Sequence, residues 1–429
     1  MEANPVTTRL RGLVALSPLF VFLLLYVVIS LIIGDFYKIP LSVALLAGCL
    51  CALFTIRGVK FSERIEAFAK EAGNSNVVYM IWIFILAGCF ATMAEKTGAV
   101  ETTVAITMNK LPPNFVIPGL FLAACFISMA IGTSVGTVVA LIPLVVNFSQ
   151  HVGADTAFFV AVILGGAFFG DNLSFISDTT IAATRTQGCK MNEKFKANFF
   201  LVIPAFIITF AIYFMGDFPT YVPAEEADVN PLLVLPYLAV ILLAISGVNV
   251  TLTLLTGICF SFVLALAMGT DIFTLLGFMG EGIDGMGNLI IVTLLAAGLL
   301  GLIKYSGGID FLLKEMSIGI KGRRGAQAVI SMLSGIVNLC TANNTVAILT
   351  VGSISKDISL KYGISARRSA SLLDTSTCIV QCLIPYGAQT LIATSLAGIS
   401  PTAPWPYLYY PWILAGVVIV SMLIPVSTE

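Results

Sequence analysis

Charge is what this 429-residue sequence has least of: Asp, Glu, Lys and Arg together make up 10% of it. A soluble globular chain carries about 25%, so an ordinary water-facing fold is excluded. Histidine is scarcer still, with His151 alone, and a multi-histidine metal cluster goes with it. His151 falls in a short polar connection and reads as a solvated loop residue. No Cys/His spacing resembles a zinc site, and no basic stripe or aromatic–basic pattern marks nucleic acid as a partner. The loops are too short to house a nucleophile–base–orienter set or a glycine-rich phosphate loop. Neither an enzyme nor an ATP-driven pump is expected, and no cofactor.

What is present in excess is apolar surface: 58% of residues are hydrophobic and the mean hydropathy is +1.00. That composition predicts an all-α polytopic membrane protein whose first partner is the lipid bilayer. Apolar segments lie near residues 13–33, 39–56, 77–94, 115–147, 157–184, 197–216, 232–246, 249–268, 288–304, 326–352, 369–398 and 408–426. The first follows Arg9 and Arg11, is long for a signal-peptide core and lacks a small-residue cleavage site, so it reads as a retained helix. Eight of the nine cysteines fall inside apolar runs, as small buried hydrophobes; only Cys189 falls in a predicted loop.

Segments 115–147 and 326–352 are too long for one span and carry polar centres, Gly132-Thr133-Ser134-Val135-Gly136-Thr137 and Thr341-Ala342-Asn343-Asn344-Thr345. Each can be two half-helices that enter and return on one side. Loop charge favours that reading. Arg57, Lys60, Arg64 and Lys70 follow the second segment, and Arg185, Lys190, Lys194 and Lys196 the fifth. Lys304, Lys314, Lys321, Arg323 and Arg324 follow the ninth; Lys356, Lys361, Arg367 and Arg368 follow the tenth. With two re-entrant hairpins and ten crossings, all four basic loops face the cytoplasm, as do both termini. The acidic stretches at Asp217–Asp228 and Asp271–Asp284 then lie outside.

The halves echo each other. Leu86-Ala87-Gly88 with Gly98 recurs as Ala296-Ala297-Gly298 with Gly308, displaced by 210 residues. Thr180-Ile181-Ala182-Ala183-Thr184 recurs as Thr390-Leu391-Ile392-Ala393-Thr394 at the same displacement, and Thr133 and Thr137-Val138 match Thr341 and Thr345-Val346 at 208. Five crossings plus one hairpin per half is an odd count, which inverts the second copy. The expected architecture is a first transmembrane repeat over 1–216, an external linker over 217–231 and an inverted repeat over 232–429. Secondary transporters of this kind place substrate and ions at the midplane, where helices are broken.

The chemistry concentrates in Gly170-Asp171-Asn172-Leu173-Ser174-Phe175-Ile176-Ser177-Asp178-Thr179-Thr180. An aspartate at mid-bilayer costs about 2.5–3.5 kcal/mol on insertion scales, so two in one span predict a cation or proton site. Gly165, Gly166 and Gly170 weaken the helix just before it, and an unwound centre is expected there. Asp171 and Asp178 are the candidate sodium and proton ligands, with Ser174, Ser177 and Thr179 completing the site. The second copy offers neutral oxygens at Gln381 and Gln389. Asp374 is a third intramembrane carboxylate, either a further ion or proton site or a structural acceptor. The hairpin tips, Thr133, Ser134 and Thr137 with Asn343, Asn344 and Thr345, present helix ends and amides to an ion or an anion, or else close a helix contact. Arg185 could meet a substrate carboxylate at the cytoplasmic mouth, though a topology-setting role accounts for it as well.

At these residues the chain resembles the NhaC family of sodium/proton antiporters, within the ion transporter superfamily. Its members carry a motif like G-D-K-L-S-P-L-S-D-T-T, here Gly170 to Thr180, and the likeness extends through Gly132–Thr137, Thr341–Thr345 and Asp374–Thr394. The resemblance implies inverted repeats, paired re-entrant hairpins, elevator-like alternating access, a homodimer and a place in the cytoplasmic membrane. Two positions depart from the pattern: Asn172 stands where many members have lysine, and Phe175 where they often have proline. Losing a positive charge beside Asp171 removes a local counter-ion. The expected function is a cation-coupled secondary transporter that exchanges sodium for protons. The alternative is a sodium- or proton-coupled carrier of a small organic acid or amino acid.

Overall fold

The computed structural model describes residues 9–33, 38–56, 58–99, 102, 113–174, 177–216, 230–246, 248–316 and 320–423. Phe175 and residues 217–229 of the expected linker lie outside the described residues. Among the described residues every regular element is helical. Helix α1, Arg9–Leu23, runs on through a π-helical turn, Leu24–Val28, into Ile29–Ile33. Then come α2 (Leu41–Thr55), α3 (Phe61–Ala72), α4 (Ser75–Lys96), α5 (Pro113–Ile131), α6 (Ser134–Val152), α7 (Thr156–Leu173), α8 (Asp178–Gln187) and α9 (Met191–Met215). After the linker follow α10 (Leu235–Ile245), α11 (Val250–Ala267), α12 (Ile272–Gly285), α13 (Gly287–Tyr305), α14 (Gly308–Met316) and α15 (Gly322–Thr341). The chain ends in α16 (Asn344–Lys361), α17 (Ala366–Leu383), α18 (Ala388–Ala397) and α19 (Tyr409–Leu423). Six stretches among the described residues are long and apolar enough to cross a bilayer by length and composition. Large apolar side chains such as Phe54, Phe200, Met215 and Phe273 stay exposed, as a lipid-facing surface requires.

The two broken segments break where their polar centres lie. Between α5 and α6, Gly132 takes a left-handed conformation (φ 74°) and Thr133 is extended. Between α15 and α16, Ala342 takes the left-handed turn at φ 49° and Asn343, extended, caps α16 by accepting from the Val346 amide. Ala342 is the non-glycine residue with positive φ among the described residues, and a Cβ there carries strain of about 1–2 kcal/mol. The spans 157–184 and 369–398 are broken too: α7 stops at Ser174, and Ser177 caps α8 by accepting from the Thr180 amide. In the later pair, α17 stops at Ile384 and α18 starts after an extended Gly387.

Gly165, Gly166 and Gly170 do not weaken α7, which continues unbroken past them. Gly166 and Gly170 admit α5 instead, and Gly165 faces Tyr410 of α19. A Cβ on Gly170 would lie 2.2 Å from the Ser128 Cβ, and one on Gly166 2.5 Å from the Ala124 Cβ. Small residues facing each other let two backbones approach where burial gains nothing over lipid.

Three further differences from the expectation concern polar stretches. The basic run after the second segment folds as α3, an amphipathic helix, and the acidic run after the eighth folds as α12 against α4. His151 belongs to the last turn of α6 rather than to a connection. Lys194, read as one charge of a cytoplasmic loop, is buried in the first turns of α9.

The helices pack in two groups. One gathers α1 to α4 with α11 to α14, so that α3 lies on α13 and α12 on α4. The other gathers α5 to α9 with α15 to α19. Inside the second group the short helices cross over: α8 packs on α16 and α18 on α6. That exchange brings the four chain breaks to one place.

Candidate functional site

Asp171 sits in the last turn of α7, 4% exposed, facing the start of α6. Its Oδ1 accepts from the Ser134 amide at 2.9 Å, and Oδ2 accepts from the Ser134 hydroxyl. An amide at a helix start is an orphan donor with the positive end of the helix dipole behind it, so it favours a carboxylate. The Ser134 hydroxyl in turn accepts from Gln389 Nε2 at 3.0 Å, Gln389 Oε1 accepts from Gln381 Nε2 at 3.0 Å, and Gln381 also donates to the Ala342 carbonyl at 3.0 Å. One hydrogen-bonded chain thus ties the turns at Ser134 and Ala342 to the breaks near Asp171 and Gln381.

Beside that chain lies a cavity of about 410 Å³. Asp171, Asp178, Thr179, Thr133, Ser134, Asn343, Asn344, Thr345, Gln381 and Gln389 all line it. Asp178, in the first turn of α8, is exposed, and its carboxylate accepts no hydrogen bond among the described residues. Ser177 holds the break together instead: its hydroxyl donates to the Asp171 carbonyl at 3.1 Å and lies 3.1 Å from the Thr179 hydroxyl. Ser174 is buried as the C-cap of α7, and its carbonyl accepts from the Thr180 hydroxyl at 2.9 Å. Thr137 is buried with its hydroxyl on the Thr133 carbonyl. Ser174, Ser177, Thr137 and Asp374 are not on the cavity wall.

Two basic residues stand at or near the cavity. Arg185 lies two turns beyond Asp178 on α8 and lines the same cavity. It makes no ion pair among the described residues. Lys194 reaches inward to Asp374, with Nζ to Oδ2 at 2.8 Å and both side chains essentially unexposed. Asn198, one turn later on α9, also donates to Asp374 Oδ2 at 2.7 Å. Asn172, at the position where the resemblance leads one to expect lysine, donates instead to the Phe168 carbonyl and the Tyr410 hydroxyl.

The donor set is carboxylate, amide and hydroxyl oxygen. Among the described residues no three His, Cys, Asp or Glu side chains gather as a metal cluster. Such an arrangement suits a small hard cation held loosely enough to leave, with a carboxylate that can take a proton in its place.

The model of the Na+/H+ antiporter family matches residues 3–218 and 227–427. The Na(+)/H(+) antiporter NhaC of Bacillus subtilis is 26% identical over 377 residues, covering 80% of this chain and 83% of its own length. The NhaC antiporter of Alkalihalophilus pseudofirmus is 24% identical over 429 residues, covering 91% and 92%. The malate-2H(+)/Na(+)-lactate antiporter of Bacillus subtilis is 20% identical over 418 residues, covering 90% and 89%.

Proposed function

This chain belongs to the Na+/H+ antiporter family, and we propose that it exchanges sodium for protons at the cavity where its four helix breaks meet. The observation that carries the reading is Asp171, whose carboxylate faces the α6 amide terminus beside a cavity that Asp178 also lines. With the proton off, Asp171 offers sodium a carboxylate oxygen, and Asp178 and Thr179 offer two more oxygen-bearing side chains. With the proton on, the cation loses its strongest ligand and leaves. Exchange follows from that competition whenever the site faces one side of the membrane at a time.

Alternating access is supported by the pattern of elements. Helices α5 to α8 correspond to α15 to α18, with α7 and α17 both 18 residues long and α8 and α18 both 10. Asp171 and Gln381 hold the same place in their helices, 210 residues apart. Gly132 corresponds to Ala342 and Thr133 to Asn343. The tips therefore align at 210 like the rest, and Thr133 pairs with Asn343 rather than Thr341. We read residues 1–216 and 232–429 as inverted repeats of five crossings and one re-entrant hairpin each, joined by an external linker at 217–231. The group α5–α9 with α15–α19 would carry the ion past the other group. Residence in the cytoplasmic membrane with both termini inside, and assembly as a homodimer, belong to the same reading.

A second reading has its own observation. The cavity is roomier than a bare ion needs, and Arg185 on its wall makes no ion pair among the described residues, which a small carboxylate would remedy. A relative named for malate and lactate exchange aligns with 90% of this chain. Purified protein in sealed liposomes with an internal pH dye decides between them. A sodium jump without any organic solute should drive protons out of the lumen, and Asp178→Asn should abolish the signal while remaining folded. Proton movement that begins only when a small carboxylate is added favours the second reading.

A further inference from the structure

Lys194 places an ammonium inside a cage of oxygens built by the broken helix. Its Nζ donates to Asp374 Oδ2 at 2.8 Å, to the Asn172 carbonyl at 3.0 Å and to the Thr180 hydroxyl at 2.6 Å. An ammonium has three donors, and here all three are used. Each acceptor is of a kind that hard metal cations prefer: a carboxylate, a main-chain carbonyl at a chain break and a hydroxyl. The Asn172 carbonyl is one residue from Asp171, and Thr180 is two from Asp178, so the cage adjoins the proposed exchange site.

The surroundings are richer in acceptors than a lysine can satisfy. Asp374 Oδ1 and Asn198 Oδ1, on side chains that meet at the ammonium's acceptors, are buried without a hydrogen-bond partner among the described residues. Buried polar atoms normally find partners, and oxygens left over on the side chains that surround the ammonium suit a cation position better than a lysine pocket alone. Lys194, Asp374, Asn172, Asn198 and Thr180 are each no more than 1% exposed.

We propose that this cage is a second cation position, occupied permanently by the Lys194 ammonium, and that the tethered charge keeps a second sodium out of the transport cycle. Lys194 thereby sets how many sodium ions each cycle carries. The inference rests on the sodium/proton reading of the neighbouring site. Shortening the occupant should leave the cage intact around a buried carboxylate, which demands a cation of its own.

The test is sodium binding to the purified full-length chain, counted with radioactive sodium under equilibrium. Lys194→Met should bind one more sodium per chain than wild type, and Lys194→Met/Asp374→Asn should return to the wild-type number. Lys194→Arg should keep the wild-type number, because the cage keeps its charge. The melting temperature of Lys194→Met should rise in sodium and not in choline, and by more than that of wild type. A folded Lys194→Met that binds only the wild-type number overturns the proposal. So does a pair of variants, Lys194→Met and Lys194→Ala, that neither salt allows to fold, because sodium then does not replace the ammonium. A wild-type chain that binds no sodium strikes the exchange reading itself, which keeps the two failures apart.

Discussion

Ser134 links Asp171 to the second broken span. Its amide and hydroxyl both reach Asp171, and the same hydroxyl takes the Gln389 amide. Ser134→Ala removes one donor to the carboxylate while the backbone donor stays. A hydrogen bond to a charged group contributes about 1.5–3 kcal/mol, so its loss should disfavour the ionised carboxylate. Because protons then compete harder at any given pH, the exchange profile should move alkaline. Dye-monitored exchange over a pH series checks this, and an unchanged profile would contradict it. Asp171, Asp178 and the polar centres of the broken segments stand out in the sequence against apolar runs, and the fold brings them to one cavity. Lys194 does not stand out. Among Lys190, Lys194 and Lys196 it looks like one of a solvated cluster, and only the fold brings it to Asp374, 180 residues further along the chain.

At the scale of the helix, close approach carries the argument. Helices α5 and α7 meet through Ser128 and Gly170, and Ser128 donates to the Ala167 carbonyl across the contact. Gly170→Ala would put a methyl 2.6 Å from the Met129 amide as well as against Ser128. Overpacking of this kind costs about 1–3 kcal/mol, so the melting temperature in detergent should fall. Gly119→Ala, also in α5 but facing open space, should leave it unchanged or raise it slightly. Equal behaviour of the two variants would refute the packing account. The breaks at 132–133, 174–177, 342–343 and 384–387 could be read in advance, because polar centres and Pro-Tyr-Gly interrupt apolar runs that are otherwise continuous. Helices α3 and α12 could not. Counting their charges marked them as loops, while the apolar face that packs α3 on α13 depends on a partner some 230 residues away.

For the molecule as a whole, the arrangement of two helix groups matters more than any single span. The α8–α16 and α18–α6 crossings bring residues of both halves to the cavity wall, so in the proposed exchange neither half holds the ion alone. Order and spacing point to a likeness between the halves, yet the exchange of partners between them is a tertiary fact with no local signature. The central claim is that sodium and a proton compete for the carboxylates at that junction. Sodium added to the purified chain in weakly buffered solution reports it directly through the protons released. Wild type should release protons in proportion to the sodium it binds, with sodium affinity rising about tenfold per pH unit while the carboxylate titrates. Asp171→Asn should bind more weakly and release none. Sodium binding without proton release, or the same release from Asp171→Asn, would contradict the account.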